Sequence, residues 1–146
     1  MCWLSNKLKK CVAPANFITY KVMKPVEDGV ARASVFDRYI YRQGKPNPTV
    51  SINPYYEERY GGYVIEEGYH SFTEIPSLDN ISSYSAVYRV MVPKGAIYYK
   101  SDIRKEIVST DLIMCERISY GNTLKNVTLS ERLHYLWTQF KTLFSV

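Results

Sequence analysis

The sequence predicts a single α+β domain spanning residues 1–146, with a twisted, mostly antiparallel sheet and one C-terminal amphipathic helix. Short segments with the two-residue apolar alternation of β-strands recur over the first 120 residues, separated by turns rich in Gly, Pro and Asn. After residue 128 the apolar period changes to that of an α-helix. A chain of 146 residues has the size of one domain and can bury a core.

The strands are predicted in chain order from alternation and from β-forming residues. The segment 17–23 alternates, and Pro25 and Gly29 are expected to end it. The first 14 residues, which contain the only lysine cluster, are expected to be a mobile terminal segment. Further strands are predicted at 34–42, 63–65, 68–72, 86–92, 96–99, 107–108 and 112–115. A turn is predicted at 43–48 and a short helix at 77–84. The segment 53–62 is predicted to be an exposed loop that is long enough to be a lid.

The C-terminal helix is predicted over 128–144. Thr128 and Glu131 form a capping-box pattern, in which the Thr hydroxyl and the Glu carboxylate satisfy backbone N–H groups of the first turn. Large apolar residues then recur at helical spacing and share one face, namely Leu133, Leu136, Trp137, Phe140, Leu143 and Phe144. Two arrangements are open, because this stripe could cover the sheet of its own chain or pack against another subunit, giving a homo-oligomer.

Composition narrows the function classes. The net charge of +5 favours an anionic partner, but the basic residues are scattered, which argues against a dedicated nucleic-acid surface. No segment is long and apolar enough to cross a bilayer, so no membrane partner and a cytoplasmic location are expected. Three cysteines without paired spacing fit a reducing compartment, and the absence of a CxxC pair or a His-rich cluster predicts no metal and no cofactor.

No complete catalytic set is visible, because the chain lacks a phosphate-binding glycine loop, an HExxH motif and a GxSxG motif. Fourteen tyrosines are the compositional outlier, and tyrosine rings can stack on bases as well as pack on sheets. We therefore expect non-catalytic binding of a small anionic, nucleotide-like ligand.

Tyrosines would stack on the base of this ligand, basic residues would contact its phosphates, and His70 and Ser71 would form hydrogen bonds with its ribose or base edge. The candidate contacts are Tyr41, Arg42, Tyr69, His70, Ser71, Lys94 and Tyr98.

Three segments carry a resemblance to known proteins. They read Gly-Tyr-His-Ser-Phe at 68–72, Val-Pro-Lys-Gly at 92–95 with tyrosines after it, and Ser-Thr-Asp at 109–111 before an apolar run. This order resembles small uncharacterised proteins found in phages and gut bacteria. The resemblance implies a phage-type accessory protein, which would lie in the host cell cytoplasm if phage-encoded. Small size, basic charge, excess tyrosine, the C-terminal helix and the lack of a catalytic set then give one version of the binding hypothesis, a sponge that sequesters a host immune nucleotide signal.

The same order looks remotely similar to the core of ADP-ribosyltransferases. Those enzymes use an Arg or His on a first strand, a Ser-Thr-Ser-like second strand and a Glu before a third strand. The resemblance implies that Arg42 stands for the first, Ser71 or Thr73 for the second and Asp111 for the third. Here Ser-Phe-Thr replaces Ser-Thr-Ser, and the aspartate is shorter than glutamate, so binding of NAD could persist where transfer does not.

Three functional hypotheses therefore stand beside one another. The first is the nucleotide-binding sponge, and the second is an ADP-ribosyltransferase-like enzyme that uses NAD. The third is a protein–protein interaction module that acts through the C-terminal helix, since a stripe so rich in aromatic residues at the end of a chain is typical of subunit contacts.

Overall fold

The computed structural model describes residues 3–33, 39–120, 123–124 and 127–144, with the backbone alone at 80, 120, 123–124, 138–139 and 141–144. Its regular elements are the strands β1 (Trp3–Ser5), β2 (Lys10–Val12), β3 (Phe17–Glu27), β4 (Val30–Ala33), β5 (Ile40–Arg42), β6 (Tyr55–Glu57), β7 (Gly62–Ile65), β8 (Tyr69–Phe72), β9 (Ala86–Val92), β10 (Ile97–Lys100), β11 (Glu106–Ser109), β12 (Ile113–Arg117), β13 (Ser119–Tyr120) and β14 (Thr123–Leu124), a 3₁₀ turn (Leu78–Asn80) and the helix α1 (Leu129–Phe144).

The predicted α+β class is confirmed, because among the described residues all the strand pairs are antiparallel and one C-terminal helix accompanies them. The large sheet has the order β12-β9-β3-β8-β11-β10-β2, and β4 and β5 extend it from β3. A second sheet has the order β1-β7-β6, and β13 pairs with β14.

The centre of the large sheet is the pair β3–β9, with seven register pairs from Phe17 opposite Val92 to Met23 opposite Ala86. The alternation that predicted both strands is therefore the alternation of two sheet faces. Pro25 does not end β3 as expected. The strand runs on to Glu27 with a register shift after Pro25, an irregular position where a ladder tolerates proline.

One face of the large sheet, which we call the inner face, is closed by the chain that follows β5. The amide of Gly44 donates to the carbonyl of Met114 at 2.7 Å, and the amide of Val50 donates to that of Thr110 at 2.9 Å. The sheet thus curls around its main apolar core. That core contains Met23, Ala31, Tyr41, Tyr69, Val90, Val92, Leu112 and Met114.

The opposite face, the outer face, is covered by two separate elements. The small sheet β1-β7-β6 packs on β10 and β11, where Trp3 and Ile65 contact Tyr99 and Val108. The helix α1 packs farther along the same face, over β3 and β9, where Tyr135 joins an apolar cluster with Val87 and other residues. No helix in the described part of the chain has the length and apolar character needed to cross a bilayer.

The N-terminal segment differs from the expectation of mobility. Trp3 is fully buried and β1 pairs with β7, so its indole ring anchors the start of the chain in a core. The hydroxyl of Ser5 donates to the Asp102 carboxylate at 2.7 Å, and the amide of Asn6 donates to the same oxygen at 2.7 Å. Long-range packing outweighs the local charge that suggested a loose terminus.

Two other segments differ from expectation. The loop predicted at 53–62 is a hairpin, in which β6 and β7 pair from Tyr55 opposite Val64 to Glu57 opposite Gly62. The helix predicted at 77–84 is a single 3₁₀ turn, Leu78–Asn80. Of the strand predicted at 34–42, residues 34–38 lie outside the described residues, and β5 accounts for its end.

Candidate functional site

The helix α1 is held on the sheet by its first turn. The capping box is confirmed, since the Glu131 amide donates to the Thr128 hydroxyl at 3.1 Å and the Thr128 amide donates to the Glu131 carboxylate at 3.1 Å. The same carboxylate accepts a hydrogen bond of 2.7 Å from the Tyr20 hydroxyl and one of 3.1 Å from Nε of Arg89. One side chain therefore caps the helix and binds it to β3 and β9.

Arg89 is the centre of this network. Its guanidinium bonds both carboxylate oxygens of Glu131 and also pairs with Glu116 at the end of β12. The Arg89 side chain is only 12% exposed and that of Glu131 only 14%. A two-oxygen contact between partly desolvated groups fixes orientation as well as distance, so it sets the rotation of α1 about its own axis.

The network perturbs the ionisation of its members. Burial of the Glu131 carboxylate acts to raise its pKa, but hydrogen bonds from Arg89, Tyr20 and Thr128 outweigh burial and lower the pKa from 4.5 to about 2. Burial raises the pKa of the Tyr20 phenol, and the hydrogen bond to Glu131 and its negative charge raise it further. Glu131 is therefore ionised and Tyr20 neutral at physiological pH.

Farther along, α1 keeps the same side toward the sheet. Tyr135, one turn after Glu131, packs against the cluster that contains Val87. Nε2 of His134 lies 3.0 Å from the Glu74 carboxylate, which also pairs with Lys105. The contacts that hold the helix thus combine hydrogen bonds, ion pairs and one aromatic ring.

The apolar stripe lies on the other side of α1. With 3.6 residues per turn, Leu133, Leu136 and Phe140 are roughly opposite Glu131 and Tyr135. Five large apolar side chains of the helix are between 51% and 73% exposed, namely Leu129, Leu133, Leu136, Trp137 and Phe140. We call these five the outward face of α1. The side chains of Leu143 and Phe144, predicted for the same stripe, lie outside the described residues.

The aromatic residues of the outward face lie against each other. The rings of Trp137 and Phe140 stack with centroids 5.8 Å apart and planes 13° from parallel, and each residue is about half exposed. Exposed apolar area of this kind, continuous over three helical turns, is typical of an interaction surface.

The seven residues predicted to bind a nucleotide do not form one cluster. Tyr41 and Tyr69 are fully buried in the main core, with ring centroids 6.1 Å apart, and the Tyr69 hydroxyl donates to the Pro48 carbonyl. Neither ring offers a face to a ligand in this conformation. Ser71 is also buried, and its hydroxyl accepts a hydrogen bond of 2.9 Å from Thr19.

The other predicted contacts are dispersed over the molecule. Nε2 of His70 lies 3.0 Å from the Glu66 carbonyl on the outer face of the sheet. Tyr98 packs edge-on against Phe17 at 5.1 Å, on the inner-face side. Arg42 lies exposed at the end of β5, and Lys94 lies exposed in the turn before β10.

The residues suggested by the ADP-ribosyltransferase resemblance have structural contacts. The Asp111 carboxylate accepts a hydrogen bond of 2.7 Å from the neighbouring Thr110 and another from Thr49. The bond from Thr49 ties the chain after β11 to the segment after β5. Thr73 follows β8, and its amide donates to the Lys105 carbonyl at 3.0 Å. Nucleotide binding and ADP-ribosyl transfer stay predictions.

A cavity of about 630 Å³ opens at the turn between β3 and β4. The residues that line it include Glu27, Asp28, Glu116, Arg117 and Tyr84. Three acidic residues beside one basic residue favour an anionic ligand less than a basic lining would. Among the residues that the structure describes, no three His, Cys, Asp or Glu side chains converge to hold a metal ion.

Sequence reasoning found the helix, its cap and its stripe but missed Arg89 and Tyr20. Glu131 was recognised only as a capping residue. The residues that fix it lie 42 and 111 positions away on two strands, and no local pattern links them to the helix. An available signal was Arg89, the one charged residue of the otherwise apolar and aromatic strand β9, whereas Tyr20 lies in a strand that also carries Thr19 and Lys21.

Scans of the chain against models of protein families, curated proteins and solved structures matched none of them.

Proposed function

We propose that this protein is a protein–protein interaction module and that the outward face of α1 is its binding surface. The single observation that carries the proposal is the orientation of the helix. Glu131 faces the sheet and bonds Tyr20 and Arg89, whereas five large apolar residues face solvent. A helix that served only to cover its own sheet would bury the apolar stripe instead.

The energetics of the outward face support this function. Fully burying a large apolar side chain contributes roughly 1.5–3 kcal/mol relative to leaving it exposed. The outward face holds five such side chains at half exposure or more, so a large part of that contribution is available to a binding partner. Trp137 is of the residue type that most often dominates binding energy at interfaces.

The anchoring network supports the same function from the other side. A recognition helix binds more tightly when it is already ordered, because less conformational entropy is lost on association. The capping box and the contact of Arg89 with Glu131 order the first turn before any partner arrives. The module thus presents a preorganised helix on a sheet scaffold.

Site-specific photo-cross-linking tests the proposal. A photoreactive residue at position 136, on the outward face, is expected to form an adduct in extracts of the producing cells. The same residue at Ile103 is the matched control, because Ile103 is 50% exposed but lies in the turn between β10 and β11.

The adduct is then identified by mass spectrometry and the interaction rebuilt from purified chains. The identified partner should bind the wild type and lose binding to the variant Leu133→Glu. Equal cross-linking from positions 136 and 103, or binding that is indifferent to Leu133→Glu, would contradict the proposal.

A further inference from the structure

We propose that the partner of the outward face is a second copy of this chain, docked helix against helix as a parallel two-fold pair. The inference rests on the proposed function and names the occupant of the same surface. It is carried by the spacing of the outward face, its area and the one charged residue at its edge.

The outward face has coiled-coil spacing. Leu129, Leu133, Leu136 and Phe140 follow one another at intervals of four, three and four residues, which is the alternation of d and a positions in a heptad repeat. Leu143 continues the series in the sequence at the next d position. A period of 3.5 residues keeps such a seam in contact with an identical helix that coils around it.

The exposed area is sufficient for a pair but small for a larger assembly. Large apolar and aromatic side chains present on the order of 150–250 Å² when fully exposed, and those of the outward face are 51–73% exposed. Five of them give roughly 500 Å² for each chain, and two chains bury roughly 1,000 Å² in total. That is the lower limit of a specific interface, and a two-fold pair uses the whole stripe of both copies.

The flanks of the seam favour a like helix in parallel orientation. With Leu133 at an a position, Arg132 occupies a g position and Trp137 the following e position. In a parallel pair, a g residue of one helix faces the next e residue of its partner. The exposed guanidinium of Arg132 would then lie over the indole of Trp137 in the other copy, twice by symmetry.

The position of the sheet permits this pair. Glu131 and Tyr135 turn toward β3 and β9, so the outward face points directly away from the body of the domain. Two copies can bring these faces to the 8–10 Å separation of packed helices with their sheets on the outside. The anchored helix end therefore remains bound to its own sheet in the pair.

Native mass in solution tests the inference, measured by light scattering during size exclusion with the full chain. We expect 34 kDa, twice the chain mass of 17.0 kDa, falling to 17.0 kDa with Leu136→Glu while the circular dichroism spectrum is retained. Ile103→Glu is the control and should remain at 34 kDa. Arg132→Ala should raise the dissociation constant roughly ten-fold, because two cation–π contacts are lost.

The outcomes separate this inference from the proposed function. A mass of 17.0 kDa at all concentrations, together with a cross-link from position 136 to a different protein, overturns the second-copy inference and leaves the proposed function standing. A mass of 17.0 kDa without any such cross-link overturns both. A mass of 34 kDa that persists in Leu136→Glu places the pair on another surface and also overturns the inference.

Discussion

The two sides of α1 show an inversion of the usual amphipathic helix. The side toward the sheet carries Glu131 and His134, which bond Arg89 and Glu74, and it contributes one ring, Tyr135, to an apolar cluster. The side toward solvent carries the outward face, with five large apolar residues at half exposure or more. In a helix that only covers a core these roles are exchanged.

One helix can therefore use one of its sides to fix its position and the other side for binding. Hydrogen bonds and ion pairs are directional, so a few of them fix where a helix lies and how it is rotated. Apolar contact is not directional and scales with area, so it suits association. The strand β9 uses the opposite arrangement, because its apolar residues Val90 and Val92 on one face and Val87 on the other are fully buried.

The largest expected effect comes from removing the centre of the anchoring network. Arg89→Met leaves Glu131 and Glu116 without the guanidinium, and breaking a mostly buried pair costs about 3–5 kcal/mol. The free energy of unfolding from urea titration measures it. Lys105→Met is the matched control, because that ammonium is 64% exposed and should change stability by less than about 1 kcal/mol. Equal effects from the two variants would contradict the assigned role of Arg89.

Acid should weaken the contacts by which Glu131 holds the helix on the sheet. The pKa of Glu131 is about 2 in the folded chain and 4.5 ordinarily, so the carboxylate contributes stability above pH 4.5 that is lost as the pH falls to 2. The free energies of unfolding of the wild type and Glu131→Gln should therefore differ most above pH 4.5 and converge toward pH 2. A difference that stays constant over this range would show that the charge of Glu131 is not involved.

The helix cap has a smaller expected effect. Thr128→Ala removes the hydroxyl that accepts from the Glu131 amide, and loss of such a cap costs about 1 kcal/mol. Thr128→Ser keeps the hydroxyl and is expected to restore most of the loss. Both are measured by thermal unfolding at one protein concentration. A serine variant as unstable as the alanine variant would place the effect elsewhere than in the cap.

The smallest expected effect on folding is on the outward face itself. Leu136→Glu should change the free energy of unfolding of the dilute monomer by no more than about 0.5 kcal/mol, because the side chain is already 55% exposed. If Leu136 were buried, the glutamate that replaces it would be an unpaired charge in an apolar site and would unfold the domain. A loss of more than about 2 kcal/mol would therefore show that the stripe belongs to the core of its own chain.

The sequence could predict the elements that local patterns encode. Alternation predicted β9 at its observed bounds and the start of β3, and the Thr128–Glu131 pattern predicted the cap. The direction of the apolar stripe could not be predicted. The expectation that the stripe covers its own sheet is wrong, because its side chains are exposed, and its packing against another subunit stays a prediction. The helix lies on its own sheet, and its stripe faces away, because Arg89 and Tyr20 fix Glu131 from distant strands.

The candidate ligand residues show the same limit. Tyr41 and Tyr69 were chosen for ring chemistry, but the curl of the sheet encloses them in the main core. That curl depends on hydrogen bonds such as the one from Val50 to Thr110, between segments 60 residues apart. An excess of tyrosine does not distinguish core packing from stacking on a ligand, because both use the same flat ring.

Acrylamide quenching of tryptophan fluorescence, in the purified chain and in Leu136→Glu, tests directly whether a second copy covers the outward face. Trp3 is fully buried and should be shielded in both, so the difference reports Trp137, which is 53% exposed in the single chain. We expect Trp137 to be shielded in the wild type at high protein concentration, and to become accessible on dilution or with Leu136→Glu. Equal and strong quenching in both proteins at every concentration would show that no second copy covers the outward face.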